Sequence, residues 1–325
     1  MVHIRPLKDK DLHDLESAID KRKLYHSPLR CTDDFQVRAY QKRLYRSLVS
    51  STVSQDGRML LMAESSDGFK GFLHLLTGYV DNLYSIYQGT ILDLIYPEGD
   101  EDTLRALIEH AENSLIKIQR HFIVILPEFR NIMEREVLHQ SGFHDEYLHF
   151  VTALSSSKGR RKMPFRLKEA SYGDIRTLLE MGAVQTEQIL SPLRFISQKA
   201  LRQEYMKGHG FDWAASPQHV TCKMVYDSND SLLGYLTVER NRCDLQTGIE
   251  EAHLTDIIFR DFSLKQRYTA PLLQWLDRSL IADGTFLRIT AIPSGDRETE
   301  ALLDLIEGHH DCERVQMVKS LRRKQ

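Results

Sequence analysis

The chain repeats part of itself at a fixed distance, and no other feature restricts its fold as much. Gly71-Phe72-Leu73-His74-Leu75 is echoed by Gly234-Tyr235-Leu236-Thr237-Val238, and Leu92-Asp93-Leu94-Ile95-Tyr96 by Thr255-Asp256-Ile257-Ile258-Phe259. Both pairs stand about 163 positions apart, and Val124-Ile125-Leu126-Pro127 meets Thr290-Ala291-Ile292-Pro293 within a few residues of that offset. Upstream, Ile4-Arg5-Pro6-Leu7 runs into Asp11-Leu12 as Phe165-Arg166-Leu167-Lys168 runs into Asp174-Ile175, each reading as a strand entering an N-capped helix. A single apolar pentapeptide with one Asp means little, but ordered matches at one offset mean duplication. With 325 residues there is room for two cores of ordinary size. The expected domains are 1–154 and 164–325, joined by a polar linker, 155–163, that has no apolar periodicity and meets Pro164.

Within each copy the order of elements is the same. After the first strand and a helical region come two strands in succession, Arg58 to Glu64 and Lys70 to Val80, or Thr221 to Tyr226 and Leu232 to Arg240. The Asp-bearing strand follows, then a helix (Asp102 to Gln119; Leu264 to Ile281), an apolar strand (Phe122 to Leu126; Phe286 to Ile292), a helix and a last strand. A meander followed by a β-α-β crossover predicts an α/β fold with a mixed sheet, antiparallel at one end, parallel at the other, and covered by helices on both faces. The second copy carries a longer helical insertion, Arg194 to Lys207.

Composition narrows the classes of function. A hydrophobic content of 42% is ordinary for a globular protein, and no uninterrupted apolar run approaches the ~18 residues of a membrane span. The N-terminus turns polar within a few residues, so the expected location is the cytoplasm, with no membrane partner. Cys31, Cys222, Cys243 and Cys312 show no Cys-x-x-Cys spacing and read as reduced thiols. A net charge of −3 gives no field for nucleic acid, and the basic runs Lys158 to Lys162 and Arg322 to Lys324 read as solvated. Gly-x-Ser-x-Gly, phosphate-loop, His-Glu-x-x-His and dinucleotide motifs are missing from the sequence. His309 and His310 are adjacent, so their side chains diverge, and no metal site is expected.

The order of elements, together with Asn131-Ile132-Met133-Glu134-Arg135-Glu136-Val137-Leu138-His139-Gln140-Ser141-Gly142-Phe143, resembles the acyl-CoA N-acyltransferase (GNAT) superfamily, whose late helix ends in Gly-Phe before the last strand, here His144 to Val151. Gly142 suits a left-handed C-cap, with Phe143 packed below it. The resemblance implies two tandem GNAT-like domains, each a mixed twisted sheet flanked by helices. It further implies acyl-CoA bound where two parallel strands splay, with pantetheine along one strand and pyrophosphate at the next helix N-terminus.

Both copies depart from the family's glycine-rich phosphate turn. In the first, Pro97-Glu98-Gly99-Asp100-Glu101-Asp102 sets four carboxylates against a pyrophosphate, at about 1 kcal/mol per close like-charge pair, so no cofactor is expected there. In the second, Lys265, Gln266, Arg267 and Thr269 can donate to phosphate, and Leu264 with the main chain of Ile257, Ile258 and Phe259 would line the cofactor, acetyl-CoA or another acyl-CoA. A solvated basic helix start is the other reading of those side chains.

Acyl transfer to an amine of pKa near 10.4 needs a base, because only about one part in two thousand is neutral at pH 7. Asp93 and Asp256, two positions before Ile95 and Ile258, are the candidates that the copies share; Glu251 and His253 are rivals in the second. An Asp there can also simply fix backbone amides. The family's tyrosine acid falls on Leu138, beside His139, and the second copy's equivalent helix, Arg297 to Gly308, has none. The sequence therefore points to transfer from acyl-CoA to a small-molecule or peptide amine in the second domain. The alternative is an inactive tandem scaffold or an acyl-CoA-sensing module.

Overall fold

The repeat is visible element by element in the computed structural model, which describes residues 2–25, 28–30, 33–50, 57–81, 86–154, 163–174, 176–178, 180–182, 220–244, 247–306 and 310–321. The first copy runs β1 (His3–Pro6), α1 (Leu12–Lys21), α2 (Asp34–Ser50), β2 (Arg58–Ser65), β3 (Gly68–Asp81), β4 (Ile86–Ile95), α3 (Glu101–Lys117), β5 (Phe122–Ile125), α4 (Ile132–Gln140) and β6 (His144–Ala153). The second runs β7 (Arg166–Glu169), β8 (Val220–Tyr226), β9 (Leu232–Cys243), β10 (Glu250–Phe259), α5 (Phe262–Ala282), β11 (Leu287–Pro293), α6 (Arg297–Ile306) and β12 (His310–Ser320). The insertion Arg194 to Lys207, both basic runs, His309 and residues 155–162 lie outside the described residues.

Local chemistry repeats with the elements. Asp11 accepts the Lys8 amide at 2.9 Å and Asp174 the Ser171 amide at 2.9 Å, so each copy opens its first helical region with the same turn. In α3, Leu104, Leu107, Ile108, Ala111 and Leu115 are buried at helical spacing. They pack on Leu73 and Leu75 of β3, Ile91 and Leu94 of β4, and Val137 and Leu138 of α4. On the opposite face of β3, Phe72 packs with Leu15 and Ile19 of α1 and Tyr45 of α2. Helices thus cover both faces of the first copy's strands. Each such buried Leu or Ile contributes roughly 1.5–3 kcal/mol.

All the strands join one 12-stranded sheet in the order β1-β2-β3-β4-β5-β12-β6-β11-β10-β9-β8-β7. Among the described residues, only β4–β5 and β10–β11 pair in parallel. The mixed sheet follows the sequence pattern; the placement of the last strands does not. β12, from the second copy, pairs with β5 of the first, while β6, from the first, pairs with β11 of the second. The exchanged strands meet at the centre, with Leu148 opposite Val315. Each carries core residues across the boundary. Val315 and Met317 join the core under α3, and Phe150 joins the core under α5. Neither copy therefore completes its hydrophobic core without the other.

Candidate active site

Both parallel pairs come apart at the same place, and a β-bulge marks it. β4 and β5 are paired from Gln88↔Phe122 to Ile91↔Ile125, and β10 and β11 from Ala252↔Arg288 to Leu254↔Thr290. The ladder then stops. On β4 the register against β3 shifts between Ile91 and Asp93, leaving Leu92 as the extra residue; on β10 it shifts against β9 between Leu254 and Asp256, leaving Thr255. A bulge bends its strand and breaks pairing locally, which is how one strand leaves its parallel neighbour. Beyond it, Leu94 and Ile95, and likewise Ile257, Ile258 and Phe259, are in register with the meander strand alone. That stretch presents a strand edge to the splay.

Gly71 and Gly234 serve this geometry. A Cβ at Gly234 would lie 2.2 Å from the Ile258 carbonyl oxygen, and one at Gly71 3.0 Å from that of Ile95. The meander strand can lie this close to the post-bulge edge only with glycine there.

Side chains at the two splays differ. In the first copy, both oxygens of Asp93 are taken, by Arg22 Nη1 at 2.7 Å and the Tyr45 hydroxyl at 2.5 Å. His74 faces Asp93 across the strand pair, and burial lowers its imidazole pKa to about 4. Glu134 of α4 accepts from the Tyr96 hydroxyl at 2.8 Å and from Asn131 at 2.7 Å; burial pushes its carboxyl up to about 7. Arg22, Asp93, Glu128, Glu134 and the main chain at the bulge enclose a cavity of ≈ 20 Å³, about the room one water needs. The leading turn is closed as well: Asp100 caps α3 through the Thr103 amide and hydroxyl, and Glu98 is bound by Lys23 and Tyr25.

In the second copy, Asp256 is half-buried opposite Thr237. Asp261 caps α5, accepting from the Leu264 amide and the Ser263 hydroxyl, so a carboxylate also stands at this helix start. Lys265 is buried and donates to Thr299 at 2.5 Å beside Asp296; burial lowers its pKa. Thr269 is buried and donates to the Lys265 carbonyl. Gln266 and Arg267 are exposed, Arg267 lying over the Tyr268 ring, and Leu264 is half-buried. Of the four side-chain donors expected for phosphate, two are thus turned into the protein and two face solvent.

Glu251 and His253 meet, with His253 Nε2 2.5 Å from Glu251 Oε1. Glu251 in turn accepts from Arg30 Nη1 at 2.7 Å, and Arg30 also grips both oxygens of Glu313 at 2.6 Å. Asp244 is held by two bonds from Arg314; burial works against its charge, but the guanidinium keeps its carboxyl well below the usual range. Sequence reasoning named Glu251 and His253 but missed Arg22, Tyr45 and Glu134, and the Arg30, Glu313, Asp244 and Arg314 cluster around that pair. The long-range pairs are 38 to 283 residues apart, beyond any local pattern. At the late helix, Leu138 is fully buried and His139 lies between the Phe143 carbonyl and Asp145, while Gly142 takes φ +90°.

This arrangement defines a tandem GNAT fold, two copies of the acyltransferase architecture in one chain. A tandem GNAT protein from the clavulanic acid biosynthesis pathway, in a structure without AcCoA, is similar over 100% of both chains at 12% identity and TM-score 0.51. A GCN5-related N-acetyltransferase from Sphaerobacter thermophilus is similar over 99% of this chain and 96% of its own, at 11% identity and TM-score 0.60. At these identities the likeness is one of fold. No protein-family model matches the sequence, and no curated protein does. Among the described residues, no helix is long and apolar enough to cross a membrane.

Proposed function

We propose that the protein transfers an acyl group, acetyl in the first instance, from acyl-CoA to a primary amine of a small molecule or peptide, in the cytoplasm and without a metal. The thioester lies at the β10–β11 splay. The observation that carries this reading is the bulge at Thr255, after which Ile257 to Phe259 run without β11 as a partner. A pantetheine arm is an extended chain with amides, and it adds to such an edge as a strand does. A main-chain N–H beside the bulge then stabilises the oxyanion that forms on the thioester carbonyl.

The amine nitrogen bonds to the carbonyl carbon, the C–S bond breaks, and the amine's proton passes through a base to the departing thiolate. Asp256, or His253 oriented by Glu251, is that base. Gln266 and Arg267 serve the phosphates by their side chains, since Asp261 already takes the Leu264 amide. The first copy is a structural partner, its splay closed by Arg22, Asp93 and Tyr45.

Calorimetric titration with acetyl-CoA at fixed salt tests this. Native protein and Asp102→Lys are expected to bind in the micromolar range, and Arg267→Glu to lose most of that affinity. No binding of acetyl-CoA or CoA by native protein overturns the reading and leaves a duplicated scaffold. Binding that appears only in Asp102→Lys moves the site to the first copy.

A further inference from the structure

We infer that Arg30, supplied by the first copy, is a positioning residue for the second copy's site: it fixes Glu251, which holds His253 with Nε2 as donor and leaves Nδ1 to accept a proton. Its chemistry rests on the acyltransferase reading; its geometry does not. The Arg30 side chain is 1% exposed. Two of its nitrogens, Nε and Nη2, grip the two oxygens of Glu313, which sets the guanidinium plane. The remaining nitrogen, Nη1, then points at Glu251 Oε2, 2.7 Å away, with Asp244 further off at 3.7 Å. Leu29, the preceding residue, packs on Val151 of β6 and on Leu287 and Ile289 of β11, which seats the turn across the central strands.

Glu251 uses its other oxygen on His253 Nε2. A carboxylate anchored on one side by an arginine holds an imidazole in one tautomer and stabilises the imidazolium once it forms. His253 stands two residues before Thr255, about 7 Å along the strand, a distance that a chain of about two waters spans. The charged groups around it are Glu251 on β10, Glu239 directly opposite on β9 with its partner Arg242, Arg30 on the turn and His149 on β6, which Arg314 of β12 also faces. Burial holds the His149 ring neutral, its pKa lowered to about 3, so it brings no competing charge. In the transfer step, the amine proton moves to His253 Nδ1 as the C–N bond forms, and then to the thiolate as the C–S bond breaks.

Imidazole nitrogen NMR on the full chain reads the tautomer directly. Native His253 is expected with its proton on Nε2; in Arg30→Lys and Arg30→Met, a mixture of tautomers is expected in protein whose amide spectrum remains folded. Arg30→Lys keeps the charge and guards against loss of folding. With acetyl-CoA and a panel of diamines and lysine peptides, kcat is expected to fall by about tenfold or more while KM for acetyl-CoA holds within about twofold. A single Nε2–H tautomer and unchanged kcat in folded Arg30→Lys overturn the role of Arg30 alone. Native protein that binds no acetyl-CoA overturns the acyltransferase reading, and the catalytic role with it.

Discussion

Asp93 and Asp256 stand at one place in a duplicated backbone, each one residue past a bulge where parallel pairing stops, yet they live in different company. Asp93 is locked by an arginine just past α1 and a tyrosine from α2 and looks across at a buried histidine. Asp256 looks across at a threonine. What duplication preserved is the main chain: the bulge, the broken ladder and the glycine against the strand edge beyond them. The side chains around that frame have diverged, and they distinguish a splay closed by its own charges from the one proposed to bind substrate.

The largest expected break in this comparison is Arg22→Ala. It leaves Asp93 buried with one oxygen unpaired, which costs about 3–5 kcal/mol for a buried pair, toward the lower end because Arg22 keeps 15% of its side chain exposed. Asp256→Asn, at the equivalent place, is expected to cost under about 1 kcal/mol. Urea unfolding of the two variants measures the difference. Equal losses would mean that Asp256 is as structural as Asp93 and would weaken its case as a base.

A smaller effect depends on pH. Glu134 titrates in the folded protein near 7, above its ordinary 4.5, so between these values the folded state holds more protons than the unfolded one. Stability from this group therefore falls as pH rises through that window, by roughly 2–3 kcal/mol in total. His149 acts in the opposite direction, because its folded pKa of about 3 lies below the ordinary 6.5 and its contribution grows as pH rises between them. Comparing native protein with Glu134→Gln isolates the first term: the stability difference should change by that amount between pH 4.5 and 7. A difference independent of pH would show that the carboxyl titrates normally and that the first splay is wetter than its lining implies.

Much of the fold was legible because it is written in periodicity. The paired strands, the turns that end at Asp11 and Asp174, and the Gly-Phe end of α4 follow from local pattern, and the repeat supplied the architecture; Asp11, expected to cap α1, instead bonds back to the Lys8 amide and gives the helix no side-chain cap. The exchange of β6 and β12 was not legible. Leu148 and Val315 would satisfy either partner by hydrophobicity alone, so nothing in their sequence says which copy they complete. The site was half legible for the same reason. Glu251 and His253 share a face by strand alternation, which sequence reports, but Arg30 reaches them across 221 residues. Lys265 illustrates the converse. Its charge suggested a phosphate ligand, whereas helix geometry turns it inward to Thr299 and Asp296.

The smallest effect compares the two glycines. A methyl at Gly71 would meet the ends of Leu107 and Thr103 at 3.1 Å, side chains that can yield by a few tenths of an ångström, and the Ile95 carbonyl at a tight but not overlapping 3.0 Å. At Gly234 it would meet the Ile258 carbonyl at 2.2 Å and the Phe259 main chain at 3.0 Å, and backbone has no rotamer to change. Overpacking of this kind costs about 1–3 kcal/mol, so Gly234→Ala should lie at the upper end and Gly71→Ala at the lower. Gly234→Ala also pushes on the edge proposed to bind pantetheine, so it should weaken acetyl-CoA in calorimetry, whereas Gly71→Ala should leave that affinity unchanged. If Gly71→Ala is the variant that weakens binding, the two copies have their roles reversed, and the closed splay around Asp93 opens to admit the cofactor.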